Sequence, residues 1–163
     1  MAKYYTCWLH VPEECRKQLE QIVSKKYDYA SDNAYLVNTE PRIFGYIFDE
    51  VKWRELDFLD DLHELGIPFN FSNDDNDPYL KRIIKCRFTP DGERILQDYL
   101  HSEAKIDAEC FIASIDECKT PEEKLNYINQ QYMHFSNLLT SLPWDNQVEY
   151  GKLYRTRKLI EPS

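Results

Sequence analysis

Four carboxylates predicted to lie on one helix are the residues of this chain whose spacing best suits a chemical role. They follow one another at i, i+3, i+4 and i+7 and are Asp57, Asp60, Asp61 and Glu64. Helical neighbours at these spacings share a face, and like charges there destabilise a helix by about 0.2 to 0.5 kcal/mol per pair. No lysine alternates with them in the sequence. The pattern predicts a negatively charged binding surface, and a solvated face without a binding role is the alternative.

A polar loop after this helix extends the acidic surface with Asp74, Asp75 and Asp77. Residues 49 to 77 contain ten acidic and two basic residues, a local charge of −8 in a chain whose formal charge is −9. Complementary charge speeds association and sets specificity. We therefore expect the partner to be another protein with a basic surface. The finer hypothesis is a nucleic-acid mimic that inhibits a DNA-binding or RNA-binding machine, such as a bacterial defence complex.

The same loop raises the question of a calcium site. Asn73, Asp75 and Asp77 alternate as oxygen ligands do in a calcium loop, but the glycine at the sixth position and the glutamate at the twelfth are missing. A solvated turn is the favoured interpretation, and weak calcium binding is a minor alternative. We expect no metal and no cofactor.

A second function class depends on the basic residues near the end of the sequence. The alternative site for nucleic acid comprises Lys152, Tyr154, Arg155, Arg157 and Lys158. Aromatic residues of a sheet could stack single-stranded bases beside them, and the candidates are Tyr4, Trp8, Tyr46 and Phe48. The net charge of −9 opposes this interpretation, so nucleic acid is not the expected ligand. Pairing of these cations with the acidic face of the same molecule explains the pattern equally well.

Cysteine and histidine provide no recognisable catalytic motif. The four histidines (His10, His63, His101 and His134) fall in different predicted elements, and the five cysteines form no C-x-x-C pair. We interpret the cysteines as reduced thiols, mostly buried as small hydrophobic residues. A non-enzymatic role is therefore predicted, with a small enzyme that uses a cysteine or histidine site as a further alternative.

The composition is that of a folded protein. Of 163 residues, 42% are hydrophobic and 14% aromatic, which excludes disorder, and four glycines exclude a glycine-rich phosphate loop. No run of eighteen apolar residues occurs, so no membrane partner is expected. The first residues lack the apolar core of a signal peptide, and a cytoplasmic location is the expectation.

Hydrophobic periodicity predicts an α+β protein with a ferredoxin-like βαββαβ order, both helices covering one face of an antiparallel sheet. The predicted strands are 3–11, 34–37, 42–48, 67–71 and 80–88, and the two helices run from Pro12 to Tyr27 and from Trp53 to Leu65. The second helix is indicated by leucines at spacings of three on the face opposite the carboxylates, namely Leu56, Leu59, Leu62 and Leu65. Gly45 inside the third strand indicates a bulge or the close approach of another group.

The last part of the chain is predicted to be helical and then extended. Helix starts are indicated at Thr89-Pro90 and at Thr120-Pro121, the latter with a capping-box Glu123. A helical pair is expected on or beside the sheet, followed by an extended segment from Asn146 to Ile160. The predicted units are 1–88 for the core, 89–142 for the helical pair and 143–163 for a C-terminal extension.

Overall fold

A computed structural model describes residues 4–23, 34–52, 57–74 and 81–161. This part of the chain is an α+β fold with a six-stranded antiparallel sheet and five α-helices. The strands are β1 (Tyr4–Pro12), β2 (Tyr35–Thr39), β3 (Arg42–Lys52), β4 (Phe69–Asp74), β5 (Arg82–Phe88) and β6 (Arg94–Leu100). The helices are α1 (Arg16–Val23), α2 (Phe58–Glu64), α3 (Ala108–Glu117), α4 (Pro121–Leu138) and α5 (Gln147–Ile160). Short 3-10 turns at Glu13–Cys15 and His101–Ala104 connect some of them.

The strands lie in the order β2-β3-β1-β4-β5-β6, and each neighbouring pair is antiparallel. The α+β class and, within the described residues, the five predicted strands are confirmed, with small differences in their ends. Gly45 of β3 lies against the ring of Tyr35, where an added Cβ would come within 2.4 Å of a ring carbon. The predicted close approach at Gly45 is therefore confirmed, and the approaching group is an aromatic ring of the neighbouring strand.

The core lies between one face of the sheet and α1, α2 and α5. Alternating residues of β1 and β4 point to this face, and Leu9 and Phe71, which are paired across the two strands, are 0% and 1% exposed. Helix α1 contributes Leu19 and Val23, and α2 contributes the buried residue Leu62. The predicted leucine stripe of the second helix thus faces the core. Residues 53–56 and 24–27, which the predictions also placed in helices, lie outside the described residues.

The helix predicted to start at Thr89 is wrong, because this segment is the turn and second strand of a hairpin. The Gly92 amide donates to the Thr89 carbonyl at 2.8 Å, and Gly92 has a φ of +75°. Strand β6 then pairs with β5 along its whole length, from Phe88 opposite Arg94 to Arg82 opposite Leu100. Glycine adopts positive φ without a steric penalty, so Pro90-Asp91-Gly92 closes a turn where a helix was expected.

The second predicted helix start is confirmed. The Thr120 hydroxyl accepts from the Glu123 amide at 3.2 Å, while the Glu123 carboxylate accepts from the Thr120 amide at 3.3 Å. This capping box opens α4, and α3 precedes it. Phe111 and Tyr127 join the two helices through rings 5.7 Å apart, and neither helix contains a buried residue. We call α3 and α4 with their connecting residues, 108–138, the helical arm.

The extended segment predicted for Asn146 to Ile160 is wrong, since it is the helix that packs on the sheet. Gln147 is 6% exposed, and its amide exchanges two hydrogen bonds with the Phe88 backbone, at 2.8 and 3.0 Å. Gly151 lies directly on Gly66, so an added Cβ on Gly151 would come within 1.9 Å of the Gly66 carbonyl oxygen. This backbone contact anchors α5 beside α2. No α-helix within the described ranges is long and apolar enough to cross a membrane.

Candidate protein-binding groove

An open groove of about 380 Å³ lies where α2 leaves the β5–β6 side of the sheet uncovered. We call it the α2–β6 groove, and it is lined by Asp57, Leu59, Asp60, His63, Phe69, Phe71, Arg82, Ile84, Leu96 and Asp98. Ile84 and Leu96 form an apolar floor on adjacent strands, and Leu96 is 45% exposed. A half-exposed apolar floor beside a charged helix is suited to an aliphatic side chain of a partner.

Charged residues surround this floor on both sides. Asp57 and Asp60 approach from α2, and Asp98 approaches from β6. Arg82 pairs with Asp98 through both oxygens of the carboxylate, with Nε 2.6 Å from Oδ1. The hydrogen bond to Asp98 raises the pKa of Arg82 above its ordinary value. The groove therefore contains three carboxylates against one permanent cation.

The predicted acidic face of α2 is exposed, and part of it is neutralised within the molecule. Asp57, Asp60, Asp61 and Glu64 are all exposed, and the Asp60 side chain is 82% exposed. Lys158 of α5 forms an ion pair with Glu64, and its hydrogen bond lowers the pKa of that carboxyl. The helix itself therefore supplies no lysine beside these carboxylates, as predicted, but the fold brings Lys158 of α5 next to Glu64. Asp74 is exposed at the end of β4, whereas Asp75 and Asp77 lie outside the described residues.

His63 is the histidine that lines the groove. Its Nε2 lies 3.3 Å from Asp60 Oδ1, and its Nδ1 lies 2.7 Å from Arg94 Nη1. Because Arg94 can only donate, these partners assign the proton of a neutral ring to Nε2. Both ring nitrogens thus have protein partners, which fits a positioning role better than proton transfer to a bound molecule.

Of the predicted calcium ligands, Asn73 lies within the described residues, whereas Asp75 and Asp77 lie outside them. Asn73 is 0% exposed within β4, and its Oδ1 accepts from the Arg82 amide at 2.7 Å. The side-chain oxygen of Asn73 is therefore used in a hydrogen bond to the backbone of β5. Within residues 4–23, 34–52, 57–74 and 81–161, no group of three His, Cys, Asp or Glu residues is arranged to hold a metal ion.

The residues of the alternative nucleic-acid site are divided around α5. Tyr154 stacks on Phe88 with ring centroids 4.9 Å apart, Arg157 donates to the Asp91 carbonyl, and Lys158 pairs with Glu64. Lys152 pairs with Glu149 at 3.2 Å, and Arg155 is exposed. The predicted internal pairing of this segment with the acidic face therefore occurs through Lys158.

Two of the four sheet aromatics are buried and therefore unsuited to stacking bases. Tyr46 and Phe48 are 1% and 5% exposed in the core, Trp8 is half-buried, and the side chain of Tyr4 lies outside the described residues. The prediction that Tyr46 and Phe48 could stack exposed bases is wrong, because β3 points both rings toward the helices.

The cysteines are free, as predicted, and three of the five are buried. Burial raises the pKa of Cys7, Cys15 and Cys86 to about 12. Thiols with such pKa values are poor nucleophiles at neutral pH. Cys110 is exposed and Cys118 is half-buried, and both belong to the helical arm.

A buried arginine on the opposite face was not predicted from the sequence. Arg87 is 2% exposed, stacks 3.5 Å above the Trp144 ring and donates to the Phe69, Cys86, Leu142 and Pro143 carbonyls. Desolvation lowers its pKa to about 10. Arg87 fixes the chain between α4 and α5 to the sheet, which makes its role structural.

Comparison with known proteins identifies no relative. No family model, no curated protein and no solved structure matches the chain. The functional argument therefore depends on the geometry of this molecule.

Proposed function

We propose that this protein is a non-enzymatic binding regulator that holds a basic segment of another protein in the α2–β6 groove. The observation that carries the proposal is the combination of an apolar floor, Ile84 and Leu96, with exposed carboxylates on α2. The floor accepts an aliphatic side chain, and the acidic rim accepts a lysine or arginine beside it. This combination favours a short basic and apolar segment over a uniformly charged surface.

Nucleic-acid mimicry is the finer form of this proposal, and it has less support. Helix α2 has seven residues, a length of about 10 Å. Duplex DNA carries a charge about every 1.7 Å of its axis, so α2 imitates only a few phosphates. Because Glu64 is already paired with Lys158, the number of available carboxylates on this helix is smaller still.

The proposal also includes a fold family and a cellular location. The order β2-β3-β1-β4, with α1 after β1 and α2 after β3, supports a ferredoxin-like unit that β5 and β6 extend. A cytoplasmic location agrees with five cysteines that form no disulfide.

The acidic rim is tested with a neutralised variant and a matched control. Asp57→Asn/Asp60→Asn removes two rim charges, while Glu14→Gln/Glu40→Gln removes two exposed charges near the other edge of the sheet. Proteins captured from a native-host lysate are identified by mass spectrometry, and their association rates are measured at two salt concentrations. We expect the rim variant to associate about three to ten times more slowly, with a weaker salt dependence. Equal rates for the rim and control variants would contradict the proposal.

The apolar floor is tested on β6 itself. Leu96 and Ile95 are consecutive residues on opposite faces of this strand, with 45% and 37% exposure. We expect Leu96→Ser to speed dissociation of the captured partner about tenfold, because it removes buried apolar area from the complex. Ile95→Ser should leave dissociation unchanged. If both variants dissociate at the same rate, the segment does not occupy this groove.

The nucleic-acid alternative requires its own measurement. Anisotropy of labelled single-stranded DNA and RNA at low salt would show saturable binding, lost on Arg155→Ala/Lys152→Ala, if α5 were a nucleic-acid site. We expect no binding, because Tyr154, Arg157 and Lys158 already make contacts within the molecule.

A further inference from the structure

Helix α4 carries an apolar stripe that is largely open to solvent. Its positions repeat every three and four residues, as Leu125, Ile128, Tyr132 and the half-buried Phe135 of α4 and Leu139, the residue directly after it. Four of these are 57%, 44%, 68% and 50% exposed, in the order Leu125, Ile128, Tyr132 and Leu139. At 3.6 residues per turn these four fall within an arc of about 60°. The spacing is that of the a and d positions of a coiled coil.

The neighbouring helix covers a different part of α4. Tyr127 packs against Phe111 of α3, and it is half-buried together with Gln131 and Leu138. These residues lie beside the stripe around the helix. Helix α3 therefore supports α4 from one side and leaves the stripe open to solvent.

The charge distribution of α4 is that of an interface core. Its charged residues are Glu122, Glu123 and Lys124, all in the first turn, and residues 125–138 include no Asp, Glu, Lys or Arg. At the chain's average of 30% charged residues, fourteen positions would contain about four. Depletion of charge with retention of Tyr and Met is typical of the buried centre of protein interfaces.

We propose that the occupant of this stripe is α4 of a second copy of the chain, packed antiparallel across a two-fold axis near Gln130. In this register, Leu125 meets Phe135 of the second copy and Ile128 meets Tyr132, so each layer combines a smaller and a larger side chain. An isologous contact of this kind repeats each layer on both sides of the axis and closes as a dimer.

Charge favours the antiparallel orientation over the parallel one. Parallel helices would place Glu122 and Glu123 beside the same two residues of the second copy. Antiparallel helices place them beside the uncharged C-terminal turn, Asn137 and Leu138. The helix macrodipoles also oppose each other favourably in this arrangement.

The size of the contact indicates a weak dimer. Helix α4 is about 27 Å long, and a standard interface buries about 800 Å² per partner. Four half-exposed side chains on each copy fall short of that area. We therefore expect the dimer to dissociate on dilution.

The test compares two pairs of lysine substitutions on the same helix. Ile128→Lys/Tyr132→Lys places two charges on the stripe, and Asn126→Lys/Gln130→Lys places two charges at the same i, i+4 spacing on exposed positions of the opposite side. Sedimentation equilibrium over a dilution series measures mass, and circular dichroism confirms that each variant folds. All four positions are exposed or partly exposed, so neither change places a charge in the core.

We expect the wild type and the Asn126/Gln130 variant to approach twice the 19.6 kDa chain mass at high concentration. The Ile128/Tyr132 variant should dimerise about 100 times more weakly or not at all, because every substitution acts twice across a two-fold axis. A wild type that stays monomeric would overturn the proposal and leave the stripe to a different protein. Equal dimerisation of both variants would also overturn it by placing the contact elsewhere.

Cross-linking tests the orientation in a Cys110→Ser/Cys118→Ser background. A mixture of Leu125→Cys and Phe135→Cys chains should form a disulfide between unlike chains, which the antiparallel register places opposite each other. A disulfide between two Leu125→Cys chains would indicate the parallel arrangement and contradict the register.

Discussion

The sheet with α1, α2 and α5 and the helical arm are stabilised in opposite ways. The sheet buries Leu9, Phe71 and Leu62 almost completely, and α5 reaches it through contact between two glycine backbones. The arm is regular helix with capping residues but contains no buried side chain. Short helices in water gain most of their stability from a packed face. The sheet region therefore packs a core within one chain, whereas the arm leaves apolar surface exposed that the proposed dimer would cover.

The largest expected effect lies at the junction of α5 with α2. Gly151→Ala places a Cβ 1.9 Å from the Gly66 carbonyl oxygen, and neither backbone can move aside without separating the helix from the sheet. We expect the free energy of unfolding to fall by about 3 kcal/mol or more, the upper end for overpacking. Urea denaturation followed by circular dichroism measures it.

Gly45→Ala provides the matched control for this change. The added Cβ there meets the ring of Tyr35, an exposed side chain that can rotate away. Its cost should be clearly smaller than that of Gly151→Ala, and equal costs would show that the contact between Gly151 and Gly66 is not tight.

An intermediate effect is expected from each buried thiol of the sheet region. Cys7, Cys15 and Cys86 have pKa values raised to about 12 from 9.0. Since the unfolded chain loses these protons first, their contribution to stability is complete below pH 9 and is lost as the pH rises toward 12. Between pH 8 and pH 10, each thiol should lower the free energy of unfolding by about 1.4 kcal/mol. Denaturation under reducing conditions at pH 8 and pH 10 measures the loss.

Cys86→Ala is the control for this pH dependence, because it removes one thiol from a buried site. The free energy of unfolding of the variant should fall by about 1.4 kcal/mol less than that of the wild type between the two pH values. The thiols of the arm should behave differently, with Cys110 and then Cys118 alkylated in the native protein. Rapid alkylation of Cys86 in the native state would contradict the assignment of a sealed core.

The smallest effect on global stability is expected in the arm. Tyr127→Ala removes the ring contact with Phe111, but the residues around it are already solvated. At concentrations where the chain is monomeric, we expect the global free energy of unfolding to change by less than about 0.5 kcal/mol. Hydrogen exchange of α3 and α4 should accelerate while that of β1 stays constant. A large global loss would show that the arm and the sheet unfold as one unit.

The strands and the leucine face of α2 could be predicted from the sequence, because their hydrophobic periodicity depends only on residues close together in the chain. The prediction failed at two places where a local signal is ambiguous. Thr89-Pro90 resembles a helix start, but Pro90-Asp91-Gly92 also indicates a turn, and it is the turn that forms. In α5, Gly151 interrupts the apolar pattern, and its reason is visible only where the helix meets Gly66.

The candidate groove was predicted in part for the same reason. The carboxylates of α2 follow helical spacing, so their shared face could be recognised from the chain. Leu96 and Asp98 could not be placed, because β6 was interpreted as a helix. The partners of the acidic face, Lys158 and Arg94, are distant in sequence and meet Glu64 and His63 only in the folded molecule.

The contact between Phe88 and Gln147 determines how a change in the length of the helical arm would affect stability. The two residues are 59 positions apart, and their paired hydrogen bonds close a loop that includes β6 and the entire arm. The entropy of closing such a loop grows only with the logarithm of its length, by about 0.6 kcal/mol per doubling. Because the arm adds no buried residues within one chain, lengthening or shortening it should change the stability of the monomer by little besides this term. The fold of one chain thus tolerates arms of different length, whereas the proposed dimer depends on the spacing of the stripe along α4.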